Sequence, residues 1–214
     1  MEKPPNEPCP RWVRALDAAG KVVVDSKRAR YVREPGRMID YAVPAEDVDA
    51  EVRDKLTKSE MAPGHLLVKF RAFDTVLEED EVVMIHARDP YHRVDALPSR
   101  RVVEVRWNGE ILARSESPVL LFETGLPTRY YLPLADVRMQ HLTRSPKTSG
   151  CPYKGIAEYW HVEVAGRSHP DLAWHYDHPF PAVDAIRGRV CFYNEKVDLT
   201  VDGEPLDRPV TEFS

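Results

Sequence analysis

The sequence predicts an all-β protein made of two tandem modules, with only short helices. Three observations lead to this prediction. Short runs of alternating apolar and polar residues recur along the chain between turn signals, as in β-strands. Nineteen prolines fall among these runs and argue against a helical bundle. The chain also matches itself at a constant shift, which indicates duplication.

The internal repeat has a shift of 89 residues (109 − 20), which places Gly20 on Gly109. The matched pairs are Ser26 and Ser115, Glu34 and Glu123, Gly36 and Gly125, Tyr41 and Tyr130, Pro44 and Pro133, Asp47 and Asp136, Val48 and Val137, Pro63 and Pro152, His86 and His175, Pro90 and Pro179, and Arg100 and Arg189. A fixed shift over a whole module indicates two copies of one plan. We therefore predict domains at 13–101 and 102–204, with tails at 1–12 and 205–214.

The second module has the clearest strand patterns. Residues 102–107 and 110–113 flank Asn108-Gly109, a pair that favours a hairpin because both turn positions need positive φ. Residues 156–164 alternate, which predicts a strand with Ile156, Trp160 and the two following valines on one face. Further predicted strands are 119–122, 130–132, 172–176, 189–193 and 197–201. Short helices are predicted at 45–56 and 134–142, where acidic residues lie near the N-terminal end.

Composition and charge exclude several classes of protein. The formal net charge is −5, so most of the surface would repel a nucleic acid, and we predict no such partner. No segment approaches the roughly 18 apolar residues of a membrane span, and no signal peptide is evident. We expect a cytoplasmic protein. Its three cysteines form neither a disulfide framework nor a paired CxxC zinc signature.

Several motifs in the second module resemble domain-of-unknown-function family 427. These motifs are Glu123-Thr-Gly-Leu-Pro, Tyr130-Tyr-Leu-Pro133, Asp136-Val-Arg, Cys151-Pro-Tyr-Lys-Gly155, Tyr159, Ala173-Trp-His-Tyr176 and Val190-Cys-Phe-Tyr193 followed by Val197-Asp198. The resemblance covers the second module and, more weakly, the first. Because several separate motifs occur in the same order, the resemblance is specific.

The resemblance implies a compact β-tent domain, often in tandem, found mainly in bacteria and fungi and without an established activity. The family has also been labelled nucleotidyltransferase-like. We do not adopt that label, because the chain lacks a Gly-Ser helix start with a nearby Asp-x-Asp pair to bind metal and phosphates. Tent folds elsewhere often hold zinc on two CxxC knuckles, which this chain lacks, so we predict no structural zinc and no cofactor.

The segment from Cys151 to Gly155 is the sharpest local feature. The ammonium of Lys154 lies three residues from the Cys151 thiol and would favour its thiolate, which suits a nucleophile or redox centre. The alternative is a buried cysteine in a tight Pro-Gly loop beside a solvated lysine. As part of a binding pocket, the motif is the first candidate in the chain. At the same shift, Cys151 falls on Ala62 and Lys154 falls on His65.

Other side chains are predicted to frame the same pocket. Arg129, which the first copy replaces with Asp40, would give a bidentate partner for a carboxylate or phosphate, unless it pairs with Glu123. The predicted ligand-binding residues are Glu123, Arg129, Tyr130, Tyr153, Tyr159 and Trp174, and the candidate catalytic residues are Cys151 and Lys154. The first copy keeps the framework and loses these groups, so we predict that it is degenerate.

A zinc site made of Cys151, His161 and His175 is conceivable by ligand type. Since His86 falls on His175 in the copy without the thiol, a structural hydrogen bond is the simpler interpretation, and we predict no metal. The leading hypothesis is that the second domain binds a small polar or anionic metabolite. The alternatives are an enzyme that uses Cys151 as nucleophile or redox centre, and a purely structural or protein-interaction role.

Overall fold

The computed structural model describes residues 3–214 and confirms the all-β class. Strands dominate, and the helical segments are short. The chain divides into two compact units, Met1–Tyr91 and His92–Ser214. Within residues 3–214, every helix is too short or too polar to cross a membrane.

In residues 3–91 the first unit forms two four-stranded antiparallel sheets. Its strands are β1 (Asn6–Pro8), β2 (Val13–Leu16), β3 (Val22–Ser26), β4 (Arg30–Val32), β5 (Asp40–Pro44), β6 (His65–Leu67), β7 (Thr75–Glu78) and β8 (Glu81–Val83). The strand orders are β1-β4-β5-β6 and β3-β2-β7-β8. Apolar side chains of both sheets, among them Val13, Val24 and Tyr41, form one core.

In residues 92–214 the second unit forms a seven-stranded and a four-stranded sheet. Its strands are β9 (Val94–Pro98), β10 (Val103–Trp107), β11 (Glu110–Ser115), β12 (Val119–Glu123), β13 (Arg129–Pro133), β14 (Leu142–Cys151), β15 (Gly155–Val164), β16 (Arg167–His175), β17 (Arg189–Phe192), β18 (Asp198–Val201) and β19 (Glu204–Leu206). The orders are β14-β15-β16-β17-β13-β12-β9 and β11-β10-β18-β19.

Two hydrophobic clusters cover the two faces of the seven-stranded sheet. The first cluster lies against the four-stranded sheet and includes Leu120, Trp160 and Phe192. The second cluster includes Leu121 and Trp174, and it is covered in part by the 3₁₀ segment Pro181–Ile186. Side chains that alternate along one strand therefore belong to two different cores.

Some predicted elements differ from the structure at their ends. The Asn108-Gly109 hairpin is confirmed, with φ of +52° and +83° at the two turn residues. The two predicted helices are wrong in length. The first is the 3₁₀ turn Ala45–Asp47 followed by the four-residue helix α1 (Ala50–Arg53), and the second is the pair of 3₁₀ turns Leu134–Asp136 and Met139–His141.

Strand β15 was predicted to turn Ile156 toward the core, but this side chain is 54% exposed. Buried residues occur on both faces of β15, and its pairing with β16 shifts register between Trp160 and Val162. Strand β14 was not predicted, because its sequence is polar and contains Pro146. An edge strand tolerates such residues, since its outer backbone groups need no partner strand.

The domain boundary differs from the predicted one. The structure divides the chain after Tyr91, whereas the sequence predicted a boundary after 101. Strand β9 pairs with β12 throughout its length and so belongs to the seven-stranded sheet. In the predicted N-terminal tail, residues Asn6–Pro8 form β1 on β4, and Met1 and Glu2 lie outside the described residues.

The internal repeat agrees with the structure over its first part. Strands β5 and β13 lie 89 residues apart with the same bounds, and each is followed at once by a three-residue 3₁₀ turn. The isolated bridge from Val24 to Val48 has its counterpart at Ala113 and Val137. The duplication itself stays a prediction.

The constant shift is wrong beyond this part. Pro44 pairs with His65 in the first unit, while Pro133 pairs with Arg189 in the second. The partner strands are thus 124 residues apart (189 − 65) instead of 89. The extra residues of the second unit include β14, β15 and β16, and the first unit has no such three-stranded meander in residues 3–91.

This difference removes part of the argument for a degenerate first copy. The comparisons of Cys151 with Ala62, of Lys154 with His65 and of His175 with His86 fall beyond the part that matches, and they are wrong. The comparison of Arg129 with Asp40 falls within β13 and β5 and stands.

Candidate functional site

Alternation along β12 and β13 decides which predicted residues share a face. Glu123 and Arg129 have the same parity as Leu121 and Tyr131, which belong to the second cluster. Tyr130 belongs to the first cluster, on the opposite face of the sheet. The prediction that Tyr130 lines a common pocket with Glu123 and Arg129 is therefore wrong, because consecutive side chains of a strand point to opposite faces.

The face of the seven-stranded sheet that carries the second hydrophobic cluster also carries a compact group of ionisable side chains. We call this group the acid–base cluster: His92, Glu123, Tyr153 and Lys154. The ammonium of Lys154 forms an ion pair with Oε2 of Glu123, and Nε2 of His92 donates a hydrogen bond of 3.0 Å to Oε1. The side chain of Glu123 is only 5% exposed and that of Lys154 only 11%. The ring of Tyr153 stacks on that of His92 at 4.1 Å.

The turn from Cys151 to Gly155 is held by backbone contacts, so Lys154 has a fixed position. The Lys154 N–H donates to the Cys151 carbonyl at 3.3 Å, and the Lys154 carbonyl accepts from Phe180 N–H at 3.1 Å. Gly155 has φ of +105°, and a Cβ atom there would lie 3.1 Å from the His178 carbonyl oxygen. Only glycine fits this position without strain.

Cys151 pairs with Gly155 at the end of edge strand β14 and is half-buried, whereas Cys9 and Cys191 are buried. The sequence-based hypothesis required the Lys154 ammonium to activate this thiol. The structure instead pairs that ammonium with the Glu123 carboxylate. Burial raises the pKa of the neighbouring Tyr176 phenol, and the charges of Cys151 and Glu123 add to this effect.

Arg129 forms a second, separate group, which we call the arginine cluster: Arg129, Trp174, Tyr193, Glu195 and Phe213. Its guanidinium donates two hydrogen bonds of 2.7 Å to Glu195, and both side chains are almost fully buried. Its Cζ atom lies 5.6 to 5.8 Å from the centres of the three aromatic rings. The alternative considered from the sequence, that Arg129 pairs with Glu123, is wrong, because both hydrogen bonds of its guanidinium fork go to Glu195.

Several aromatic side chains on this face of the sheet belong to the second hydrophobic cluster. Trp174 donates from its indole nitrogen to the Tyr131 hydroxyl at 3.0 Å, and the Tyr159 hydroxyl bonds Ser149 at 2.7 Å. Burial raises the pKa of the Cys191 thiol, which belongs to the same cluster, to about 12. Tyr159 and Trp174 are thus core residues of this face more than exposed walls.

The ligand atoms of Glu158, His175 and Asp177 converge as a possible metal trio within residues 3–214. Nε2 of His175 is buried without a hydrogen-bond partner, 3.3 Å from Oδ1 of Asp177. However, the Trp160 indole N–H donates to Nδ1 of His175 at 2.9 Å. Since an indole can only donate, Nδ1 holds a lone pair and Nε2 carries the proton. A neutral imidazole in this tautomer does not fit a metal at Nε2.

The zinc set considered from the sequence does not form in residues 3–214. His175 bonds Trp160, and Nδ1 of His161 accepts from the Asp171 N–H at 3.1 Å. The thiol of Cys151 is not among the groups that converge.

Four residues of these clusters were not among the predicted site residues: His92, Tyr193, Glu195 and Phe213. His92 lay in the predicted first domain, so its contact with Glu123 was not considered. Glu195 follows Tyr193 in the predicted strand pattern, and its acidic side chain next to a buried strand was the signal that could have identified a partner for Arg129.

A comparison with protein-family models gave a match over residues 95–203, to the family described as Domain of unknown function (DUF427). This stretch includes Glu123, Arg129, Cys151 and Lys154, and it ends before the segment that contains Phe213. A search of curated proteins gave no match.

Proposed function

Starting from the finding that the chain belongs to the DUF427 family, we propose that its second unit binds a small polar or anionic molecule at the acid–base cluster. The observation that carries this proposal is the buried Lys154–Glu123 ion pair, with His92 on the second oxygen of the same carboxylate. Buried ion pairs contribute little to stability compared with apolar residues of similar size. A role in binding would explain why the chain has this pair although the pair adds little stability.

The chemistry of the cluster suits a ligand with oxygen atoms. An ammonium has three N–H donors, so Lys154 can hold Glu123 and a ligand oxygen together. The carboxylate of Glu123 can accept from a ligand hydroxyl or amine. A ligand carboxylate or phosphate would accept a charge-assisted hydrogen bond from the Lys154 ammonium.

The turn that carries Lys154 also supports the proposal, because it is held in place before any ligand arrives. Its backbone is tied to residues 178–180 by the Phe180 N–H and by the close approach at Gly155. A site whose groups are fixed in advance loses less entropy on binding.

The test is native mass spectrometry of the full chain, purified from cells under mild conditions. We expect the wild type to carry a bound small molecule that the double variant Glu123→Gln/Lys154→Met lacks. The matched control is Lys21→Met/Glu51→Gln, which makes the same two substitutions in an exposed pair of the first unit. If wild type and double variant carry the same species, or if neither carries one, the proposal fails.

A second candidate function is an enzyme with Cys151 as nucleophile. It is favoured by the half-buried position of Cys151 beside this cluster, while the other two cysteines are buried. The rate of Cys151 alkylation against pH separates the two functions. A nucleophile would react with a midpoint well below the ordinary thiol pKa of about 8.5, and a midpoint at or above that value counts against catalysis.

A further inference from the structure

Residues 207–214 follow the last strand and fold back onto the other four members of the arginine cluster. The Thr211 hydroxyl donates a hydrogen bond of 2.6 Å to Oε1 of Glu195. The Phe213 ring lies 5.8 Å from the centre of the Tyr193 ring and 5.8 Å from Cζ of Arg129. These residues, which the sequence assigned to a tail, therefore cover one end of the buried face.

The segment has its own local structure, which presents the two anchors together. The Thr211 N–H donates to Oγ of Ser214, and the Ser214 N–H donates to the Thr211 carbonyl. The Phe213 N–H donates to Oγ1 of Thr211. A tight turn thus places a hydroxyl and an aromatic ring, two residues apart, on the same side.

The rest of the segment makes few contacts. Val210 is 93% exposed. Arg208 donates to Asp198 at 2.7 Å between two half-exposed side chains, and such pairs contribute little. Segments with few buried contacts open at a small fraction of the global unfolding free energy.

The side chains beneath the segment also contact one another. Arg129 and Glu195 hold each other through two hydrogen bonds, and Trp174 and Tyr193 pack together at 4.5 Å. Burial alone would raise the pKa of Glu195, but hydrogen bonds from Arg129 and then Thr211 lower it below its ordinary value. Glu195 therefore stays ionised and keeps an oxygen that accepts from a hydroxyl.

We propose that Arg129, Trp174, Tyr193 and Glu195 form a docking site for a short Thr-x-Phe segment, occupied by the chain's own residues 211–213 and open to the same segment of a second copy of the chain. The contacts define the recognised chemistry: a hydroxyl donor for Glu195 and, two residues later, a ring for Tyr193 and Arg129. Aromatic anchors of this kind carry much of the energy of protein interfaces. Every copy carries both the site and the segment, so exchange requires no other component.

The attached segment competes with any copy that arrives from solution. A short flexible connection gives it an effective concentration in the millimolar range. The wild-type site is therefore filled from within, and exchange becomes visible when the attached segment loses its anchors.

The experiment uses fluorescence anisotropy of a labelled peptide with the sequence of residues 207–214, titrated with full-length chains. We expect Thr211→Ala/Phe213→Ala to bind this peptide roughly tenfold or more tightly than the wild type, because its own segment no longer competes. A peptide with both anchors changed to alanine should not bind. The conservative variant Thr211→Ser/Phe213→Tyr, which keeps a hydroxyl and a ring, should behave as the wild type.

Circular dichroism and a thermal melt establish that each variant is folded, and Phe213→Ala alone serves if the double variant is not. The proposal would be overturned if the wild type and Thr211→Ala/Phe213→Ala bound the peptide with equal affinity. It would also be overturned if the folded variant did not bind the peptide. Tight binding of the alanine peptide would also overturn it, since the two anchors would then carry no recognition.

Discussion

Glu123 and Lys154, 31 residues apart in the chain, form a buried ion pair between the end of β12 and the turn before β15. The pair joins a strand near one edge of the seven-stranded sheet to the hairpin at the other edge. His92 contacts the second oxygen of the Glu123 carboxylate. An ammonium, a carboxylate and an imidazole are therefore in direct contact.

The first prediction concerns the energy of this pair. Lys154→Met leaves the Glu123 carboxylate buried without its main partner, so we expect unfolding in urea to show a loss of about 3–5 kcal/mol. Glu123→Gln/Lys154→Met removes both charges and should lose clearly less than the single variant. A double variant as unstable as Lys154→Met would show that the two side chains do not act as a pair.

The second prediction concerns pH and the Arg129–Glu195 pair. The pKa of Glu195 is lowered in the folded state: burial opposes this, and the hydrogen bonds from Arg129 and Thr211 outweigh it. Its contribution is therefore complete above the unfolded pKa of about 4.3 and is lost as pH falls through the lower folded value. At neutral pH, Glu195→Gln should cost about 3–5 kcal/mol because it leaves Arg129 buried and unpaired.

The measurement is the free energy of unfolding of both chains between neutral and acidic pH. The difference in unfolding free energy between the wild type and Glu195→Gln should become smaller as the pH falls below about 4. A difference that stays constant over this range would mean that Glu195 does not titrate with folding.

The third prediction concerns the tautomer of His175. In the wild type, the Trp160 indole holds Nδ1 as an acceptor, so we expect no Co²⁺ or Zn²⁺ binding at Glu158, His175 and Asp177. Trp160→Phe frees Nδ1 to carry the proton and turns the Nε2 lone pair toward the two carboxylates. Metal affinity, followed by Co²⁺ absorption, should then rise roughly tenfold or more.

The control for this experiment is His175→Ala in the Trp160→Phe background, which should remove the gained affinity. Wild-type binding that depends on His175 would contradict the tautomer argument.

The fourth prediction concerns the order in which the cysteines react. Iodoacetamide should modify Cys151 in the native protein well before Cys9 and Cys191, which are buried and whose pKa values are raised by that burial. Peptide mapping by mass spectrometry gives the order. If Cys191 were modified at the same rate as Cys151, the second hydrophobic cluster would become exposed to solvent more often than its packing suggests.

The fifth prediction concerns Gly155. Gly155→Ala places a Cβ atom 3.1 Å from the His178 carbonyl at φ of +105°, which should cost about 1–3 kcal/mol. Gly166→Ala is the matched control, since Gly166 also has positive φ, +73°, with nothing within 4 Å of the added atom. Thermal melts of the two variants should rank Gly155→Ala as the less stable. Equal losses of stability would show that the cost comes from the positive φ alone and not from the contact with the His178 carbonyl.

The fold class could be predicted because it depends on local patterns. The Asn108-Gly109 turn and the alternating strands needed only the sequence, since turn chemistry and period-2 burial act over a few residues. Strand β14 could not be predicted, because an edge strand is defined by its partner β15 and not by its own apolar pattern.

The site could be predicted only in part. Glu123 and Lys154 were assigned to one region because they belong to a dense set of chemically distinctive motifs, and the structure brings their side chains into contact. Arg129 was placed with them because the sequence shows its charge but not its partner, and Glu195 lies 66 residues away. The gap-free repeat also misled the comparison of the two copies, since an insertion such as β14 to β16 leaves chance identities in any single shift.

The central claim is tested most directly by a high-resolution crystal structure of the protein purified from cells, inspected for electron density beside Lys154. Our account predicts a non-protein molecule with an oxygen atom within about 3.2 Å of the Lys154 Nζ atom. Density that contains only the side chains of His92, Glu123, Tyr153 and Lys154, packed together without any bound molecule, would contradict it.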